Sequence, residues 1–146
     1  MLACGEDLGM VPDCVPGVME SQAILSLRMR NVDSEGPWGA MSVCATSSHD
    51  METLRMSFAT DPEPGEVRAV LEEFLRSPSM LAIFPLQDWM ALDKGLRNPD
   101  RNERINQPAD PNHHWRWRMH CDLSALLADE PWCAEVRALI KASERY

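Results

Sequence analysis

The sequence predicts an α/β fold in which short strands alternate with helices. Three observations predict it. Four apolar runs of strand length occur at residues 1–4, 24–29, 41–46 and 80–86. Segments with helical spacing or helix-start signals separate or follow them. The first, third and fourth runs each stop at a small polar cluster containing an acid: Glu6-Asp7, His49-Asp50 and Gln87-Asp88.

Each element has its own reason. Met1 to Cys4 is apolar and ends at Gly5-Glu6-Asp7. Residues 16–24 suit a helix, with Pro16 in the first turn, where its missing N–H costs nothing. Residues 24–29 alternate apolar and polar side chains, as a half-buried strand does. Asp33, Ser34, Gly36 and Pro37 make residues 31–39 a loop. Residues 41–46 read as a strand leading into Ser47-Ser48-His49-Asp50. After the turn Asp61-Pro62-Glu63-Pro64-Gly65, the side chains of Val67, Val70, Leu71, Phe74 and Leu75 fall on one helical face. Glu66 near its start and Arg76 near its end suit the helix dipole, and Ser77-Pro78-Ser79 stops it. Residues 80–86 form a continuous apolar run of the buried-strand type. Residues 92–112 are polar and predict a long loop. Asp122 is placed to cap a helix carrying Leu123, Leu126 and Leu127 on one side. Pro131 opens a last helix, with Trp132, Val136, Leu139 and Ile140 facing inward.

The whole chain, residues 1–146, is read as one domain, since 146 residues are too few for two. A net charge of -9 excludes the basic footprint of a nucleic-acid surface and disfavours an anionic membrane. No apolar run approaches the ~20 residues of a membrane span. The five cysteines are odd in number and lack a C-x-x-C pair, which predicts free thiols and a reducing compartment. Met1-Leu2-Ala3-Cys4 has no basic or apolar leader before its cysteine, so a cytoplasmic location is expected.

Acids after several strands suit carboxylate chemistry at the carboxyl end of a (β/α) barrel. They also suit solvated turns and helix caps, and composition leaves both readings open. Retaining glycosyl transfer would give the pattern a purpose. It needs a protonated carboxyl for the leaving oxygen and an ionised one for the anomeric carbon, ~5–5.5 Å apart. The acid must keep its proton near neutral pH. Beside Glu6, an apolar strand and the charge of Asp7 would push in that direction.

Spelling narrows the choice. Cys4-Gly5-Glu6-Asp7-Leu8-Gly9 with Met10-Val11-Pro12 resembles the acid/base strand of the 4-α-glucanotransferases, the amylomaltases or disproportionating enzymes of glycoside hydrolase family 77. Ser47-Ser48-His49-Asp50-Met51 resembles the family's His-Asp block. Ser77-Pro78-Ser79-Met80-Leu81, leading into Phe84-Pro85-Leu86-Gln87-Asp88-Trp89, resembles its P-L-Q-D strand. Arg104-Ile105-Asn106-Gln107-Pro108 and Trp115-Arg116-Trp117-Arg118 resemble its R-x-N-x-P and W-x-W-R segments. Four blocks in one order, closest to the long bacterial and plant-cytosolic variant, cover residue 1 to about residue 127.

The resemblance implies the C-terminal part of a (β/α)8 TIM barrel, with about four strands and their helices, and retaining transfer on α-1,4-glucans such as maltooligosaccharides. It implies Glu6 as general acid/base and Asp50 as transition-state stabiliser. It also implies sugar contacts from His49, and donor or acceptor contacts from Asp7 and Asn106. No metal or organic cofactor is implied. The family's nucleophilic aspartate belongs to an earlier R-x-D-H motif, and this chain has no Asp-His pair. The expectation is therefore an incomplete barrel, inactive alone, that needs its N-terminal half or self-association. The alternatives are a catalytically inactive half-barrel serving as a glucan-binding or assembly module, and a small α/β sugar-binding protein of another lineage. Residues 31–40 stand where the family is longer, and Arg55-Met56-Ser57-Phe58 stands where relatives carry paired tryptophans.

Other features receive bland readings. His113-His114 and His120-Cys121 lack metal-ligand spacing. Trp115 and Trp117 alternate with arginines, which predicts a strand with one face buried. Trp89 and Trp38 are candidates to stack on sugar, with packing the simpler job. The ten methionines read as core filler, and no motif supports a cysteine nucleophile.

Overall fold

A computed structural model describes residues 1–30, 32, 38–113 and 115–145. The predicted loop residues Asp33, Ser34, Gly36 and Pro37 lie outside the described residues, as do Asn31 and most of the segment 31–40 that is expected to be shortened. His114 of the histidine pair does too.

Nine elements are described: β1 (Cys4–Gly5), α1 (Val15–Ser21), β2 (Leu25–Met29), β3 (Ser42–Ala45), α2 (Pro64–Leu75), β4 (Leu81–Ile83), α3 (Leu86–Met90), α4 (Leu123–Ala128) and α5 (Glu130–Ala142). The strands form one parallel sheet in the order β1-β2-β3-β4. Chain order equals spatial order, so successive crossovers wind in one direction, as in a barrel wall. The carboxyl ends of all four strands therefore point the same way.

Register assigns the faces. Gly5, Ser26 and Ser42 are level, as are Arg28, Cys44 and Ala82. Cys44 lies in the core with Val67, Val70, Leu71 and Phe74 of α2, so this set faces the helices. A Cβ on Gly5 would come within 3.1 Å of Met19 Cε in α1, and only glycine gives that approach free room. The intervening set, Leu25, Leu27, Met29, Val43, Ala45, Leu81 and Ile83, lies on the far face. That face is covered at Leu25, Met29 and Val43 but opens at β4, where Leu81 is 42% and Ile83 58% exposed. The predicted buried strand is thus an edge strand with an open far face.

The helix over α2 forms as its periodicity requires. Pro64 starts it, the Glu66 carboxylate accepts the Glu63 N–H at 2.8 Å, and five apolar side chains bury their stripe. Each full burial of this kind stabilises by about 1.5–3 kcal/mol. At the other end, the Arg145 guanidinium donates to the carbonyls of Leu75, Ser77 and Ser79, supplying donors that a helix end lacks. Helix α1 stops earlier than predicted, at Ser21. Ala23 takes a left-handed φ of 51°, and Ile24 N–H returns to Met19 O at 2.9 Å. This C-terminal turn normally selects glycine.

Three further expectations are corrected. The apolar run 80–86 is strand only to Ile83; Pro85 then caps a separate helix, α3. Asp122 occupies the N-cap of α4 without a side-chain bond, and Leu123 and Leu127 are exposed while Leu126 is buried. Residues 115–118 form no strand, and Trp115 is exposed. The last helix follows prediction: Asp129 caps it through the Trp132 N–H at 3.0 Å, and Trp132, Cys133 and Leu139 are buried. Methionine usage is split, with Met19, Met29 and Met90 in the core and Met1, Met10, Met41 and Met80 exposed. All five cysteines are free thiols.

Candidate active site

The segment after β3 carries the densest polar chemistry. Thr46 and Ser47 leave the strand buried, and the backbone then turns outward at His49 and Asp50. Asp50 is held on both oxygens. His49 Nε2 stands 3.2 Å from Oδ2, and Asn106 Nδ2 donates to Oδ1 at 2.5 Å. The Asn106 N–H also donates to the His49 carbonyl at 3.0 Å. Three predicted residues, 49, 50 and 106, therefore meet in one cluster that remains open to solvent, with Asp50 40% exposed.

Glu6 follows β1 at the same end of the sheet and is exposed. The ladder with β2 ends one residue earlier, at Gly5 opposite Ser26. One strand separates β1 from β3, so their axes lie about 10 Å apart at the usual inter-strand spacing. Asp7 turns to β2. Its carboxylate accepts from the Ser26 hydroxyl and from Leu27 N–H at 2.8 Å, and it lies 3.6 Å from Arg28 Nη1. Ser26 and Arg28 both face the helices, so the Asp7 carboxylate is held on the helix side of β2.

The Gln87-Asp88 pair is not a solvated strand end. Both residues lie in α3, and Asp88 is fully buried. Its Oδ2 accepts from the Thr46 and Ser47 hydroxyls, and its Oδ1 accepts the Leu54 N–H at 3.0 Å. One carboxylate thus ties together both ends of the segment that carries His49 and Asp50. Burial pushes its pKa up to about 6, against the opposing pull of those three donors and the Arg30 charge.

A second buried carboxyl, Glu103, sits beneath the same segment. Thr53 Oγ1 is 3.5 Å from its Oε2, and Arg55 Nη1 is 3.8 Å from its Oε1. Burial raises its pKa to about 7; Arg55 counters this, and the Asp88 charge adds to it. Arg55 also binds Asp61 through two nitrogens, at 2.6 and 2.9 Å, and the Asn98 carbonyl at 2.7 Å. That pairing raises the Arg55 pKa and lowers that of Asp61. Arg97 donates to the carbonyls of Ala91 and Pro62. The predicted polar loop 92–112 is irregular, yet it is nailed down from beneath by buried charge.

Sequence reasoning did not single out Glu103, Arg55 or Arg97 for this network. Their partners lie up to ~50 residues away, and no local pattern signals them. Trp89 packs on Phe84 at 5.3 Å, and its carbonyl accepts from Trp132 Nε1, while Trp38 packs on Phe74 at 4.9 Å; both tryptophans pack, as the simpler reading expected. Among the described residues, no group of three or more His, Cys, Asp or Glu side chains is arranged to hold a metal. No helix there is long and apolar enough to cross a membrane.

Comparison with known proteins decides the family. The glycoside hydrolase 77 model, described as 4-alpha-glucanotransferase, matches residues 1–124. The chain belongs to the 4-alpha-glucanotransferase family. The rice 4-alpha-glucanotransferase DPE2 (Oryza sativa subsp. japonica) is 37% identical over 175 positions, covering 99% of this chain and 18% of the relative. That aligned stretch exceeds the 146 residues of this chain, so the alignment carries gaps on this side. The 4-alpha-glucanotransferase of Chlamydia trachomatis serovar D is 27% identical over 156 positions, covering 86% of this chain and 30% of the relative. An amylomaltase from Streptococcus agalactiae, solved with acarbose, superposes with a TM-score of 0.74 at 15% identity, over 97% of this chain and 32% of that one. The fold is therefore part of the amylomaltase TIM barrel, and this 4-alpha-glucanotransferase family chain spans under a third of the length of these relatives. The reading as a sugar-binding protein of another lineage is overturned by the family match.

Proposed function

We propose that this chain supplies the acid/base half of a retaining 4-α-glucanotransferase site. The observation that carries the reading is the His49–Asp50–Asn106 cluster, at the same sheet end as Glu6, in a chain of this family. Glu6 protonates the glycosidic oxygen of an α-1,4-glucan as it leaves. It then takes the proton of an acceptor 4-hydroxyl, reversing its role in the second step. Asp50 holds its charge near the sugar ring as positive character develops there, a preorganised electrostatic contribution. His49 and Asn106 fix that carboxylate and share the sugar hydroxyls. Asp7 is left out of the sugar contacts in this reading, because its oxygens are already bonded on the helix side of β2.

The nucleophilic carboxylate comes from outside these 146 residues, so the chain alone transfers no glucan. It works joined to, or docked on, the N-terminal half of a barrel. The open far face of β4 favours this over a free-standing module. The test is a chimera of the rice relative in which its matching segment is replaced by this chain. With maltotriose it should release glucose and longer maltodextrins, and Glu6→Gln or Asp50→Asn should abolish this. Transfer that survives Glu6→Gln, or glucose release by the isolated chain, would refute the assignment.

A further inference from the structure

We propose that Trp115 is a stacking platform for a glucose ring and forms a subsite beside Asp50. The proposal rests on the glucan reading of the His49–Asp50–Asn106 cluster and extends it. Among the described residues, Trp115 is the one tryptophan or phenylalanine that stays exposed, at 58%. Phe74 and Trp132 are buried, and the other described tryptophans and phenylalanines are partly covered. An indole combines an apolar face with a polar N–H, and beside a polar cluster it offers the surface that an amphipathic ring can cover.

The indole is exposed yet held. Its ring centroid lies 5.0 Å from the His49 imidazole, with the planes tilted by 36°. His49 is anchored in turn: its Nε2 stands on Asp50, and its carbonyl takes the Asn106 N–H. Two contacts through one residue, His49, thus join the indole to the Asp50 carboxylate. One side of the ring is turned to the imidazole, and 58% of the residue stays exposed to solvent. A glucose ring is amphipathic: its C–H bonds suit an aromatic face and its rim of hydroxyls suits carboxylate and amide. An α-1,4-glucan repeats that pattern from ring to ring. One sugar can lie on Trp115 while its neighbour meets Asp50 and Asn106. Because the indole is already oriented, stacking costs little ordering entropy.

Isothermal titration of the full 146-residue chain with maltoheptaose tests this, with β-linked cellohexaose as control. The expected result is binding of maltoheptaose in preference to cellohexaose. Trp115→Ala should weaken it about tenfold, the scale of a lost aromatic contact with its buried area. Trp115→Phe keeps a ring and should stay within about threefold of the unmodified chain. Asn106→Ala leaves the indole in place and separates the two claims. If Asn106→Ala weakens binding while Trp115→Ala does not, the platform is overturned and the Asp50 site stands. Equal weakening by Trp115→Phe and Trp115→Ala would assign the effect to support of His49 and overturn stacking. No binding by the unmodified chain would overturn both.

Discussion

Replacing Asp88 by asparagine removes a charge from the interior without removing its shape. In the folded chain its pKa is pushed up to about 6, whereas an unfolded aspartate titrates near ~3.9. The folded state therefore binds the extra proton between these values. Linkage fixes the sign: the contribution of this group to stability is greatest below about pH 4, falls as pH rises through about 6, and levels off above. The gap between the two pKa values corresponds to about 3 kcal/mol, an order-of-magnitude figure. Asparagine does not titrate. Its carbonyl can still accept the Leu54 N–H, and its amide can donate to the Thr46 hydroxyl, which rotates to accept. Urea unfolding followed by circular dichroism at a series of pH values should show the variant gaining about 3 kcal/mol on the parent between about pH 4 and 8. Asp88→Ala should behave differently. It strands the Thr46, Ser47 and Leu54 donors and should lose about 1–3 kcal/mol or more at every pH. A stability difference between parent and Asp88→Asn that is constant with pH, or that shrinks as pH rises, would refute the argument.

Three other outcomes are expected. Ala23→Gly should stabilise by about 1 kcal/mol, because it relieves a left-handed alanine; a lower urea midpoint would contradict this. Arg55→Lys should destabilise by about 1–3 kcal/mol near pH 7, since a point charge cannot serve Asp61, Asn98 and Glu103 together; an unchanged thermal midpoint would count against it. The isolated chain should self-associate through the open side of β4, and the double change Leu81→Lys and Ile83→Lys should return it to monomer in sedimentation velocity. A parent that sediments as a monomer would remove the basis for that expectation.

The long-range polar structure is what the sequence concealed. Helix α2 was legible because five apolar residues at helical spacing all needed one wall. The strands were legible as apolar runs, but 80–86 was read too long, since an apolar run does not announce where strand gives way to helix. Pro85 was the mark of that change. Asp88 was read as a surface acid because its three donors come from residues 46, 47 and 54. Arg97 was missed for the same reason, since its acceptors are carbonyls of Ala91 and Pro62. Glu6, Asp50 and Asn106 were singled out through the spelling of four motifs, whereas spacing alone left the strand-end acids open between site carboxylates and turn residues. Trp115 was misjudged because its alternation with arginine implied a pleated segment that does not form.

Strand β1 meets its neighbour at only two rungs, Cys4 with Leu25 and Gly5 with Ser26. So short a ladder could slide by one notch, and such a slip would carry the side chains of the strand to the opposite faces and pull Asp7 away from its partners on the helix side of β2. The three attachments of Asp7 to Ser26, Leu27 and Arg28 act as an indexing pin against that slip. Asp7→Ala should therefore loosen the register of the strand end from which Glu6 projects.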